Sequence, residues 1–504
     1  MKYVAIFHAN LNYAFLISDN YERVIRASYE VILDTFREKC PDARYVFEAS
    51  GYTIDQIARL TPDVLEKLKA AIDSGQCEFM GAPYSHPIMA NIPEEDGYWS
   101  CELAMRSYEK HLGFRPESFW NPEMTWMQYV PRAFRRAGVK KLVLDFESYM
   151  NCNDKDYHWV EKNWAHDMGW AGLHPFYPLD PNCPFLHRPF KDIVPGLDGL
   201  ARSMRIVNCY IRYFRRGMPL EEFVESVEHW SGDRSRDGAT IFIADDAEYV
   251  GTTGYYYIKY HDDYSKTFDV DPTAADKLER VVGEVLKLGP MITFSEACET
   301  IPPVDEPYFV EDRFAWNRTY ADAWAGTPEA RRWEPELQMM RKEYKEKYQP
   351  IVEAPENAAK YRDLVDRFWL HMTNSANSDG RWPPPPRVTC GWNREWVGNE
   401  IRQTRQVLAE LEERTRGIPL PPQPEPQAPA EDWRYGFHFT DKDPEDVRNL
   451  NNYELGHAVF YANTMVDCGD LKWQEKGKAL LRKIFDEFDR RGAEGIRHPA
   501  IRDE

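Results

Sequence analysis

Short apolar runs alternate with amphipathic segments across the first three hundred residues, and this alternation constrains the fold more than any other feature. YVAIFH (3–8), RYVFEAS (44–50), QCEFMG (76–81), ESFW (117–120), KLVLDFE (141–147), TIFIADDAE (240–248) and MITFSE (291–296) read as strands. Between them lie helical patterns such as TPDVLEKLKAAIDSG (61–75), where Thr61 is placed to cap and Pro62 suits the first helical position. DPTAADKLERVVGEVLKLG (271–289) is another. Strands that alternate with helices pair in parallel through crossover connections. The number of units predicts an α/β fold, a barrel of seven or eight units rather than a small open sheet.

Parallel strands are apolar along their length, so polar groups at their ends call for a reason. His8, Glu48, Glu78, Glu123, Asp145, Asp246 and Glu296 all stand at or near expected strand ends, and barrel chemistry sits at the carboxyl ends. FWNPEMTW (119–126) places Glu123 behind a proline and between two tryptophans. A charged group in such company is paired or used. In FIADDAEYVG (242–251), Phe242 and Ile243 run straight into Asp245, Asp246 and Glu248. Carboxylates on different strands can oppose each other across a cleft, as glycosidic chemistry requires. A cation-binding acid cluster and plain helix capping compete with that reading. His8, Asn10, His86, Asp145, Asp245 and Asp246 could ligate a metal. No HExxH, HxH pair or Cys/His cluster accompanies them, and the expectation is a site without metal or cofactor.

Composition removes other classes. The formal charge is −20 with no long basic block, which argues against nucleic acid and anionic membranes as partners. No run approaches the roughly 20 apolar residues of a spanning helix. The nine cysteines are scattered without a CxxC pair, so a reducing cytoplasm is the expected home. Neither GxGxxG, GxxxxGK[ST] nor GxSxG is present in a suitable context.

Residues 150–190 form a long polar and aromatic stretch with Trp159, Trp164 and Trp170, expected to line a cleft. Strand signals fade after about 306. Segments 361–382 and 395–417 look helical, 417–432 is a Pro-rich linker, and 449–468 and 471–492 look helical again.

Five stretches in order resemble the motifs of glycoside hydrolase family 57: FHANLNY (7–13), GQCEFMGAPYSHPIM (75–89), FWNPEMTW (119–126), ADDAEYVG (244–251) and SANSDGRWP (375–383). The resemblance covers about residues 1 to 410. It implies a distorted (β/α)7 barrel followed by a helical domain, acting on α-linked glucans or oligosaccharides with retention of configuration, by hydrolysis or transglycosylation. Glu123 matches the nucleophile and Asp246 the general acid/base. His8, Glu78 and His86 are expected to orient hydroxyls or tune the acids. Tyr84, Trp120, Trp126, Trp382 and Trp392 are candidate platforms for sugar rings. The first motif departs from the family pattern, reading His8-Ala9-Asn10 where the family has His-Gln-Pro. Asp245 beside Asp246 is the other departure. Alternation along a strand leaves one of the two pointing into the cleft, and the resemblance selects Asp246. The expected organisation is a barrel over 1–305, a helical domain contributing to the cleft over 306–416, the linker, and a helical segment over 433–504 packed on that domain. A homo-oligomer is compatible with all of this. A metal-dependent carbohydrate enzyme on a related barrel, or a silent glycan-binding protein, are the rival readings.

Overall fold

A computed structural model describes residues 1–13, 16–153, 180–254, 264–308, 310, 328–381, 391–420, 445–450, 455, 458, 462 and 471–493. Its centre is an eight-stranded sheet. The strands are β1 (Lys2–Ala9), β2 (Tyr45–Ser50), β3 (Cys77–Ala82), β4 (Ser118–Phe119), β5 (Lys141–Asp145), β6 (Phe190–Val194), β7 (Leu197–Arg202) and β8 (Ala239–Asp246). Their order is β6-β7-β5-β4-β3-β2-β1-β8. Every pairing is parallel except that of β6 with β7. The sheet curls until β7 approaches β8, giving a distorted barrel of seven parallel strands with an antiparallel edge.

Strand alternation sorts the core. Val4, Ile6, Val46, Met80, Val143, Leu200, Ile241 and Ala244 share one apolar cluster inside the curl. Residues between them, such as Ala5, Phe7, Phe47 and Leu142, join the larger cluster under the surrounding helices. Helix Pro62–Asp73 starts at Pro62 as expected, but the Thr61 hydroxyl bonds the Ile57 carbonyl behind it instead of capping.

Two sequence expectations need correction. MITFSE is not a strand: it makes one bridge, Met291 to Tyr3, and then turns into helix Phe294–Thr300. The Thr293 side chain accepts from the Glu296 N–H and caps that helix, so local capping wins over the apolar run. Conversely, the β6–β7 hairpin was not anticipated. β6 is half-exposed at the sheet edge, and Lys191, Asp192 and Asp198 interrupt the apolar residues of the hairpin, so it lacks the apolar run that marked the others. Of the 150–190 stretch, residues 154–179 lie outside those described.

Beyond the barrel, helices Pro328–Glu343, Ala358–Asn374 and Gly391–Thr415 share their own apolar cluster, with Trp369 at its centre. Barrel helix Glu94–Leu112 meets it, with Trp99 stacked on Trp369 at 5.5 Å. Arg341 also donates to Asp96 across this contact at 2.5–3.0 Å, and both are buried. Removing one side of such a pair leaves a charge in apolar surroundings. Asp96→Ala should therefore cost about 3–5 kcal/mol of unfolding free energy, read by denaturant titration, whereas a loss below about 1 kcal/mol would show that the pair is not needed to join the two parts. Helix Leu471–Ala493 buries Ile484 in a separate small cluster with Val447, Leu450 and Leu455. No helix among the described residues is long and apolar enough to cross a membrane.

Candidate active site

Register builds the site. Asp246 on β8 pairs with His8 on β1, and His8 with Glu48 on β2. Three polar residues thus lie in one row across adjacent strands, all on the inner face that carries Ile6, Val46 and Ala244 below them. A shift in register between Val4 and Ala5 lets Ile241, Ala244 and Asp246 all fall on that face. Asp245 pairs with Phe7, whose side chain belongs to the outer core, and its carboxylate accepts from the Asp246 N–H at 2.8 Å. Farther round the mouth, Asp145 on β5 pairs with Arg202 on β7.

Glu123 follows β4 in a tight turn, Pro122–Met124. Glu123 and Met124 both take left-handed backbone, with φ of 53° and 51°, a conformation costing about 1–3 kcal/mol for a residue with a side chain. The turn is closed by Met124 N–H to the Asn121 carbonyl (2.9 Å) and by Asn121 Nδ2 to the Thr125 carbonyl (2.5 Å). Pro122 and Met124 are buried, and the Glu123 side chain stays half-exposed between them. The odd company in FWNPEMTW is therefore the anchoring of a turn that presents one carboxylate.

The acids at the mouth differ in environment. Burial, the charges of Asp245 and Glu248, and in smaller part that of Glu123, hold Asp246 well above the usual carboxylate range. The Tyr13 hydroxyl donates to Asp246 Oδ2 at 2.6 Å and works against this rise. The Asp246 carbonyl accepts from Tyr210 (2.8 Å), and Oδ1 faces His8 Nε2 at 4.0 Å. Asp145 is pushed up to about 7 by burial and by Glu147. Glu248 accepts from the Asn10 N–H at 2.8 Å and from the Tyr29 hydroxyl, and burial lifts it to about 8.

A raised folded-state pKa means that the contribution to stability is complete below the ordinary value of 4.5 and is lost as pH rises through about 8. Glu248→Gln keeps the acceptor oxygen and removes the titration. It should reduce the fall in stability between pH 5 and pH 8 by on the order of 2 kcal/mol, measured by urea unfolding across that range. An equally steep fall in the variant would assign the effect to other acids.

The structure brings together some expected residues and separates others. His8 is sandwiched, with Trp120 stacked on it at 4.8 Å and His86 at 4.8 Å. Trp120 and Trp126 are 5% and 3% exposed, and Trp120 supports the ring of His8 by stacking on it. Trp126 packs edge-on to Tyr308. Tyr84 turns outward and bonds Asp55 at 2.7 Å. Glu78 lies at the start of β3, the opposite end from His8, and accepts from Ser118 and from the Ser295 N–H and hydroxyl. It closes the bottom of the barrel. Trp382 and the side chain of Trp392 lie outside the described residues.

Sequence reasoning missed Tyr13, Tyr29, Arg202 and the Asn10 contacts. Asn10 Nδ2 donates to Asp379 at 3.0 Å, which ties the first motif to the SANSDGRWP segment. That segment also docks on the second motif: Asn377 Nδ2 donates to the Ser85 carbonyl (2.7 Å) and Ser378 N–H to the His86 carbonyl (2.9 Å). The departure from His-Gln-Pro thus has a local use, since Asn supplies a donor where proline has none. Its only signal in the sequence is the polar run Asn10–Asn12.

A family model described as glycosyl hydrolase family 57 matches residues 2–309, more than half of the chain. The chain belongs to glycosyl hydrolase family 57. Among curated members, an α-amylase of Pyrococcus abyssi is 24% identical over 204 residues, 38% of this chain and 28% of that protein. A 4-α-glucanotransferase of Thermococcus litoralis is 25% identical over 192 residues, again 38% and 28%. The match thus spans little more than a quarter of these relatives. The fold is also that of a family 57 branching enzyme from Thermococcus kodakaraensis, with a TM-score of 0.57, 12% identity, and coverage of 82% of this chain and 94% of the other.

Proposed function

We propose that this family 57 chain is a retaining glycoside hydrolase or transglycosylase acting on α-linked glucans or oligosaccharides. The observation that carries the reading is the pair of unlike acids at one mouth. Glu123 is presented on a strained turn, and the carboxyl of Asp246 is raised well above the usual range by desolvation, by Asp245 and Glu248 and in smaller part by Glu123. The printed activities of the relatives, α-amylase, 4-α-glucanotransferase and branching enzyme, support an α-glucan as substrate.

In the first step the Glu123 carboxylate attacks the anomeric carbon while the Asp246 proton passes to the departing oxygen. In the second, the Asp246 carboxylate takes a proton from water or from an acceptor hydroxyl, whose oxygen displaces Glu123. Tyr13, bonded to Asp246 Oδ2, orients the acid. His8 faces Oδ1, and in this reading it contacts the sugar at the point of cleavage. In this reading Trp382 and Trp392 are platforms for sugar rings, and the helical region reaches the cleft through Asp379. The test is the anomeric form of the first product released from maltooligosaccharides, followed by NMR. An α product is expected, and initial release of the β anomer would overturn the double displacement.

A further inference from the structure

His8, Glu48 and His86 converge from β1, β2 and the turn after β3. Their ligand atoms all lie within 4.8 Å of one another, and the three residues are 8%, 0% and 3% exposed. Glu48 Oε1 and His86 Nε2 are buried without a hydrogen-bond partner among the described residues, and they stand 3.8 Å apart. Two ligands of one tetrahedral cation, bound at about 2.0–2.2 Å, stand roughly 3.3–3.5 Å apart. This pair of buried polar atoms stands near that spacing, and neither has a hydrogen-bond partner among the described residues to account for its burial.

The donor chemistry narrows what the three residues would hold. Two imidazoles and one carboxylate suit first-row divalent metals, and zinc in particular. Calcium and magnesium prefer sets made only of oxygen. His86 is also held in left-handed backbone, φ 52°, by a turn that buries its ring in this cluster.

We propose that His8, Glu48 and His86 form a three-ligand site for zinc or a similar first-row divalent cation. On binding, His8 Nδ1 exchanges its hydrogen bond with Glu48 for a bond to the metal. The ring proton is then fixed on Nε2, the nitrogen that faces Asp246. The site stands whether or not Glu123 and Asp246 carry out glycosyl transfer, because its first readout is metal content.

The full chain is stripped with chelator, dialysed and titrated with zinc by calorimetry, with bound metal counted by mass spectrometry. One equivalent is expected. Glu48→Gln and His86→Gln should each weaken binding by more than the roughly 10–100-fold that loss of an outer-shell partner costs, with circular dichroism confirming the fold. Cobalt(II) loaded into the unmutated chain gives a readout that needs no variant. Visible bands of a four- or five-coordinate site without a thiolate charge-transfer band are expected. No retained metal, a thiolate band, or unchanged affinity in folded variants would overturn the site.

Discussion

Glu123→Gln should lower turnover by about 10⁴-fold or more on every α-linked substrate, whatever its leaving group, because no glycosyl-enzyme can form without the attacking carboxylate. The amide keeps the shape of the side chain, and the turn is held by Asn121, Pro122 and Thr125, not by the carboxylate. Stability should therefore change by only about 0.5 kcal/mol. Steady-state kinetics on a maltooligosaccharide and on an activated aryl α-glucoside, with a thermal melt, provide the check. Activity within tenfold of the unmutated protein on either substrate would remove Glu123 from the mechanism.

Asp246→Asn should behave differently. On unactivated substrates the loss should be about 10²–10⁴-fold, the usual range for a general acid. A substrate whose leaving group needs no proton should still load Glu123, and the intermediate should accumulate because water lacks its base. Azide needs no deprotonation, so it should restore turnover and give the α-glycosyl azide. A β-azide would mean direct attack on the substrate and would exchange the two roles. The same variant tests the raised pKa of Asp246. In the proposed mechanism this group acts protonated, so activity should fall as pH rises through the elevated value. In Asp246→Asn that alkaline limb should disappear on activated substrates.

The barrel was legible because apolar runs with helical segments between them leave parallel pairing as the simple way to bury both faces of a sheet. β1, β2, β3, β5 and β8 begin and end within a residue or two of the sequence reading. Glu123 and Asp246 stood out as candidates for a similar reason. In the sequence Pro122 directly precedes Glu123 after the apolar run ESFW, and the apolar run Phe242–Ala244 leads straight into two aspartates. MITFSE failed because its apolar residues fit a single bridge and a helix start as well as they fit a strand.

Fold class and the chain order of the motifs could be read from the chain, since each depends on residues close together in it. Tertiary structure alone decided which polar strand residues share the mouth. Glu48 and Glu78 look alike as acids in neighbouring strands, yet one lies four residues into β2 and the other two residues into β3, so they occupy opposite ends of the barrel. The hydrogen bonds that shape the acids span 233 residues from Tyr13 to Asp246, 238 from Asn10 to Glu248 and 369 from Asn10 to Asp379. Such contacts are set by strand register and by the docking of the helical region, and no local pattern in the chain encodes either.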